Sequence, residues 1–192
     1  MAIRNWEKFY KEKKAPTKPS DFAKFIDYTF SDFKNISLID VGCGNGRDLK
    51  LFKKSNWCSL AIGIDKSIKS NFNKDLFNVD LNKIVNKIQP PIIVYSRFLL
   101  HSISNKEIEK LLRWTKYYFV AEFRLKGDVP KLYKHDRNLV DLGWFVKKLE
   151  ENGFVIEKLK TGYGMAKYKN EDPYVCRVIA RKRVIARKYE KK

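Results

Sequence analysis

Apolar positions along this chain follow two periods. Short apolar runs at 36–41, 60–65, 92–96 and 117–123 predict buried strands, and 154–159 and 175–180 predict two more. Between them, apolar residues recur every three or four positions. Phe22, Phe25, Ile26 and Tyr28 follow Ser20, a candidate N-cap, and Leu49, Leu51 and Phe52 mark a helix over 47–55. Ser104 and Glu107 have the spacing of a capping box for a helix through Arg113. Leu139, Leu142, Phe145, Val146 and Leu149 predict a helix over 138–152, with Gly153 past its end. Residues 3–13 predict a short amphipathic helix with Ile3, Trp6, Phe9 and Tyr10 on one face, and 15–19 are a break. A polar helix over 66–73 and a short third strand over 75–80 complete the pattern. Strands alternating with helices predict an α/β fold: a doubly wound, mostly parallel sheet with helices on both faces. The last two strands have no helix between them, so the sheet should end antiparallel.

Composition narrows this picture only in places. The 192 residues, 44% hydrophobic, suffice for one domain with a core over 35–182, preceded by a helical extension over 1–34 suited to a lid and followed by a basic tail over 183–192. No apolar run is long enough for a membrane span. The charged N-terminus lacks an apolar signal core, which predicts a cytoplasmic protein. Cys43, Cys58 and Cys176 are far apart and match neither a disulfide framework nor a zinc motif, so no metal is expected. The net charge of +19 points to a nucleic acid, an anionic substrate or an anionic surface. Its alternative origin is compositional, since lysine, asparagine and isoleucine are all abundant. Part of it is terminal: Arg177 to Lys192 carry eight Lys/Arg and one Glu.

Candidate chemistry concentrates in Asp40-Val41-Gly42-Cys43-Gly44-Asn45-Gly46-Arg47-Asp48, between the first strand and the helix after it. A glycine-rich strand-to-helix turn lets backbone N–H groups approach a polar ligand. The dinucleotide pattern would need glycine at Arg47, and the Gly-Lys-Ser/Thr of a phosphate loop is absent. The Asp-x-Gly-x-Gly-x-Gly spacing resembles the cofactor loop of class I, Rossmann-like methyltransferases that use S-adenosylmethionine (SAM) and release S-adenosylhomocysteine (SAH). That resemblance covers 35–182 by order of elements. It implies that Gly42, Cys43, Gly44, Asn45 and Gly46 line the cofactor, with Cys43 a small residue that fits there. It also implies that Asp65, ending the second strand, grips the ribose hydroxyls; its other reading is a helix N-cap. Lys66 follows at the same edge. Asp80 either accepts the adenine amino group or is a surface turn residue. Asp40 orients the glycine loop or meets the cofactor's ammonium group through water.

Methyl transfer from a sulfonium is an in-line displacement, so the protein must align donor and acceptor and, for a hydroxyl acceptor, remove a proton. Candidates lie after strands four and five. Arg97 and His101 adjoin an apolar run, with Arg97 near both cofactor and acceptor. His101 is either a base or a packing residue. Glu122 ends the fifth strand, where it orients a base or binds an acceptor hydroxyl, and the loop beyond carries Asp128, Tyr133, His135 and Arg137. His135 is the second candidate base. Arg97, Arg124 and Arg137 are suited to clamping a phosphate or carboxylate. The alternative for this loop is a solvated charged surface. Tyr163 lies in a hairpin that can wall the acceptor site. The Arg97–His101 run, the His135/Arg137 loop and the Gly164…Glu171-Asp172-Pro173…Arg177 ending resemble a bacterial subgroup linked to surface-polysaccharide or modified-sugar synthesis. No Asn/Asp-Pro-Pro-Tyr motif follows strand four, which counts against methylation of an exocyclic base nitrogen. Three functions remain open: O-methylation of a small polar, anionic acceptor; methylation of RNA or DNA; and a non-catalytic SAM-fold subunit that binds a partner.

Overall fold

A strand buried on both faces belongs inside a sheet, not at its rim. The run Ile36–Val41 is buried along its whole length and forms the interior strand β1. The computed structural model of the chain describes residues 16–65, 72–73, 88–128 and 138–183. Within them β1 is joined by β2 (Cys58–Asp65), β3 (Phe72–Asn73), β4 (Ile92–Arg97), β5 (Tyr118–Arg124), β6 (Phe154–Gly162) and β7 (Val175–Lys182). The helices are α1 (Asp21–Thr29), α2 (Arg47–Phe52), α3 (Asn105–Trp114) and α4 (Leu142–Glu151), with a 3-10 turn at Leu100–Ser102. The strands make one seven-stranded sheet in the order β3-β2-β1-β4-β5-β7-β6. Pairs β1–β2, β1–β4, β2–β3 and β4–β5 are parallel, while β7 runs antiparallel to both β5 and β6. No helix of the described residues is long and apolar enough to cross a membrane.

The pattern of apolar positions predicts this architecture, with differences at element ends. The helix expected over 138–152 starts at Leu142, because the Asp141 side chain caps it by accepting from Trp144 N–H (2.9 Å). Val140, just before that cap, bridges to Leu125 instead. The helix expected over 47–55 ends at Phe52. The third strand is at Phe72–Asn73, so the polar helix expected through 73 does not reach that far. The expected strand over 75–80, residues 66–71, the helix over 3–13 and residues 184–192 lie outside the described residues. Tyr28 is 82% exposed, whereas Phe22, Ala23 and Ile26 are buried. Two positions past Ile26 is about 200° around a helix, on the opposite side.

Alternation along the strands divides the core between the two faces of the sheet. Val94, Phe119 and Ala121 pack with α3 and α4 through Ile108, Leu111, Phe145 and Leu149. Ile93, Tyr95 and Val120 pack with α1 and α2 through Phe22, Ile26, Leu49 and Phe52. A buried carboxylate pins this second layer. Asp48 Oδ1 accepts from Ser20 N–H (2.7 Å), and Oδ2 accepts from Ser20 Oγ (2.8 Å) and Tyr95 OH (2.8 Å). Ser20 Oγ in turn accepts from Ala23 N–H (3.0 Å), so the hydroxyl that caps α1 is itself held by Asp48.

Asp48→Ala would leave three buried donors without their acceptor. At ~1–3 kcal/mol for each unsatisfied group, reduced by relaxation and water entry, a loss of about 2–5 kcal/mol is expected in urea unfolding. Asp48→Asn, which keeps one acceptor oxygen, should lie between that variant and wild type. An Asp48→Ala protein within about 1 kcal/mol of wild type would show that the carboxylate does not hold the layer together.

Candidate active site

All three glycines of the turn after β1 have left-handed backbone, with φ of 79° at Gly42, 55° at Gly44 and 72° at Gly46. That conformation is strained for any residue with a Cβ. Gly42 also lacks room, since a Cβ there would sit 3.2 Å from Leu99. The turn is moored to the end of β2. Gly42 N–H and Cys43 N–H donate to Ile64 O (2.8 and 3.3 Å), and Gly44 N–H donates to Asp65 Oδ2 (2.8 Å). Gly63 completes the fit, because a Cβ there would meet Cys43 Sγ at 2.7 Å. Cys43 is buried, and burial pushes its thiol pKa up, so it is a small filler without thiolate character. Asn45 Nδ2 donates to Pro16 O (2.9 Å), and Arg47 Nη1 donates to Lys18 O (3.3 Å). These bonds lay the stretch before α1 against the turn.

Asp40, Asp48 and Asp65 therefore surround the root of the turn. Burial pushes the Asp40 carboxyl well above the usual range, and the carboxylates of Asp48 and Asp65 add to the shift. Ser96 Oγ, at the carboxyl end of β4 and paired in register with Val41, is fully buried and has no hydrogen-bond partner among the described residues. Such an orphan at a ligand edge suits a polar group supplied from outside the chain. Acidic groups with a glycine turn and an orphan hydroxyl fit a ligand that carries an ammonium group and ribose hydroxyls, as SAM does. Lys66 and Asp80 lie outside the described residues.

The other half of this edge is cationic. Glu122 is 0% exposed and accepts from Arg97 Nε (2.8 Å) and Arg177 Nε (2.7 Å). With a guanidinium on each oxygen, Glu122 orients two arginines; this argues against its expected direct role with a base or an acceptor hydroxyl. The Arg97 guanidinium lies 4.4 Å over the Phe98 ring. His101 is buried in the 3-10 turn, where its Nδ1 accepts from Arg124 N–H (3.4 Å) and its ring meets Phe98 edge-on. An imidazole that accepts at Nδ1 carries its proton on Nε2, which favours packing over the base role. Arg124 is not available as an acceptor clamp, because its guanidinium donates to Asp128 (2.7 Å) and to Glu171 in a buried cluster. Asp128 is correspondingly occupied, and its second oxygen accepts from Tyr174 N–H (2.9 Å). Tyr163 is exposed and stands 5.1 Å from the Tyr174 ring. Tyr133, His135 and Arg137 lie outside the described residues. Sequence reasoning missed Arg177, Tyr95, Ser96 and the anchoring role of Asp48. Arg177 alternates with the apolar Val178 on a closing strand and ends the run that resembles the sugar-linked subgroup, but neither signal placed it beside Glu122.

A carboxyl with a raised pKa holds its proton more tightly in the folded than in the unfolded chain. For Asp40 the resulting stability is complete below the ordinary value of 3.8 and is lost as pH rises through the higher folded value. Asp40→Asn has the same shape and no proton to lose. Its melting temperature relative to wild type should therefore climb as pH rises above the ordinary carboxyl value of 3.8. A difference that stayed flat, or fell, would mean that Asp40 is charged throughout.

A family profile described as "Methyltransferase domain" matches residues 12–120. No curated protein matches the chain by sequence. Among solved structures it is similar to a SAM-dependent methyltransferase from Anabaena variabilis, with 18% identity, 93% of each chain covered and a TM-score of 0.63. It is also similar to a SAM-dependent methyltransferase from Archaeoglobus fulgidus, with 15% identity over 93% of this chain and 100% of that one and a TM-score of 0.57. The magnesium protoporphyrin IX methyltransferase of Synechocystis, solved with bound SAH, has 16% identity over 83% of this chain and 81% of that one, with a TM-score of 0.54. At these identities the likeness carries the fold, while the profile spans more than half of the chain and carries the family: the chain belongs to the methyltransferase-domain family.

Proposed function

We propose that this chain is a SAM-dependent methyltransferase that methylates an oxygen of a small polar, anionic acceptor, such as a sugar- or phosphate-bearing metabolite or a polysaccharide precursor. The observation that carries the proposal is the division of one sheet edge. A glycine turn and the carboxyl groups of Asp40 and Asp65 lie at the ends of β1 and β2, and Arg97 and Arg177 lie beside them on β4 and β7. Ligands of open α/β sheets bind beyond the carboxyl ends of the strands. Asp65 is assigned to the ribose hydroxyls and Asp40 to the cofactor's ammonium group, with Lys66 and Asp80 at the adenosine end. SAM supplies the activated methyl group, and the chain's own residues align, enclose and deprotonate. The arginine pair draws the anionic acceptor to the cofactor, and His135 is the base assigned to its hydroxyl. A second reading, methylation of RNA or DNA, draws on the net charge of +19.

Asp65→Ala should weaken SAH binding by about 1–3 kcal/mol in calorimetry, through loss of charge-assisted hydrogen bonds. Unchanged affinity would remove the ribose assignment. His135→Ala should lower turnover with SAH affinity near wild type, and the same pattern in His101→Ala alone would reverse the two histidines. To identify the acceptor class, methyl-labelled SAM is incubated with the protein and a cell extract. Label in the small-molecule or polysaccharide fraction is the expected outcome. Label confined to nucleic acid would establish the second reading.

A further inference from the structure

One cross-strand row on the α1 side of the sheet is unusually cationic. Arg97 on β4 stands opposite Glu122 on β5, Glu122 opposite Arg177 on β7, and Arg177 opposite Lys160 on β6. Three cations and one carboxylate thus stand in one row, and Glu122 bonds only the two arginines. In the next row Tyr95, Val120, Ile179 and Lys158 follow in the same order. The lysines reach these rows because of an irregularity in β6, where Ile156 pairs with Ala180 but Lys158 pairs with Ile179, leaving Glu157 as an extra residue. Side chains alternate between faces, so one extra residue exchanges the faces of everything after it. Without it Glu157 would stand opposite Ile179 and Leu159 opposite Arg177; with it, Lys158 and Lys160 do.

Here the sheet edge and α1 enclose a groove of about 270 Å³ lined by Phe25, Lys158, Lys160, Met165, Arg177 and Ile179. Its floor is mostly apolar and its rim is cationic. The Lys158 ammonium lies 5.5 Å over the Phe25 ring. Among the described residues, neither Lys158 nor Lys160 has a carboxylate partner. Arg177 is turned inward, with Nη2 donating to Met165 O (2.6 Å) and its guanidinium 5.4 Å from the Phe22 ring. The groove therefore opens from the same Arg97–Glu122–Arg177 group that borders the proposed methyl-transfer site.

We infer that this groove holds an extension of the acceptor, and that the acceptor is an anionic amphiphile: its apolar part lies on Phe25, Met165 and Ile179, and its acidic group lies against Lys158 and Lys160. The role as acceptor site rests on the methyltransferase reading, but the binding chemistry does not. Uncompensated ammonium groups above an apolar floor complement a ligand with both properties, whereas a purely apolar ligand would leave the charges unmatched and a bare anion would leave the floor wet.

The test is calorimetric titration of the full-length protein, saturated with SAH, with dodecyl phosphate below its micelle concentration. Binding is expected, and Lys158→Gln/Lys160→Gln should weaken it about tenfold by removing two charge-assisted contacts at an exposed rim. Both lysines are exposed on an edge strand, so the variant should keep its melting temperature and its SAH affinity. Dodecyl maltoside, with the same chain and no charge, and inorganic phosphate should each bind at least about tenfold more weakly than dodecyl phosphate to the wild type. Equal affinity of wild type and variant for dodecyl phosphate, or equal binding of the maltoside or of inorganic phosphate, would overturn the inference. Failure of SAH to bind while dodecyl phosphate binding remained lysine-dependent would remove the methyltransferase reading and leave the groove's chemistry standing.

Discussion

Asp48 accepts from the N–H and hydroxyl of Ser20 and from the hydroxyl of Tyr95, and so joins three segments that are distant along the chain. Ser20 starts α1, Asp48 lies in the first turn of α2, and Tyr95 is in the middle of β4. Tyr95 also stacks on Phe22 at 5.5 Å and meets Phe52 edge-on at 5.0 Å, so the same ring is fixed from both helices. A buried carboxylate is tolerable only when its acceptor sites are filled, which makes this arrangement close to all-or-none. Its consequence reaches the site, because α2 continues directly from the glycine turn. The position of the turn relative to α1, and of the stretch 16–20 that lies against it, follows from that one group.

The sheet edge above this layer is divided by charge. Carboxylates gather around the ends of β1 and β2, where the resemblance to SAM enzymes assigns a cofactor that carries an ammonium and a sulfonium. Cations gather at the ends of β4 and β7, where the proposed acceptor is anionic. Glu122 keeps the cationic half from repelling itself apart: it takes Arg97 and Arg177 through their Nε atoms alone. A carboxylate used in this way sets the direction of two guanidiniums, a role that its position at a strand end does not by itself distinguish from a direct one.

Much of the fold was legible because it depends on local periodicity. Ser20 and the Ser104/Glu107 pair cap the helices that their spacing predicts. Element ends were less legible where a side chain chose between partners: Asp141 stops α4 from reaching back to 138. The glycine turn was legible because its residues are contiguous and its backbone needs glycine. The acceptor side was not, since Arg124 and Arg97 are both arginines near strand ends and only their partners distinguish them. Arg124 is consumed by Asp128 and Glu171, the latter 47 positions away in sequence, whereas Arg97 meets Glu122 at the candidate site.

The sequence by itself determined the α/β alternation, the antiparallel closing pair and the glycine turn, because each rests on residues close together in the chain or on a repeated period; Asp65, 21 positions from Gly44, was legible only through the family resemblance. Tertiary structure alone decided which charges meet. The pairing of Glu122 with Arg177 spans 55 positions, and the bonds from Asp48 to Ser20 and Tyr95 span 28 and 47. It also decided which face of β6 carries its lysines, since a single extra residue at Glu157 reverses the alternation only once the pairing partner on β7 is known. Periodicity reports which positions are apolar, but the energy of a buried charge depends on the group opposite, and register supplies that.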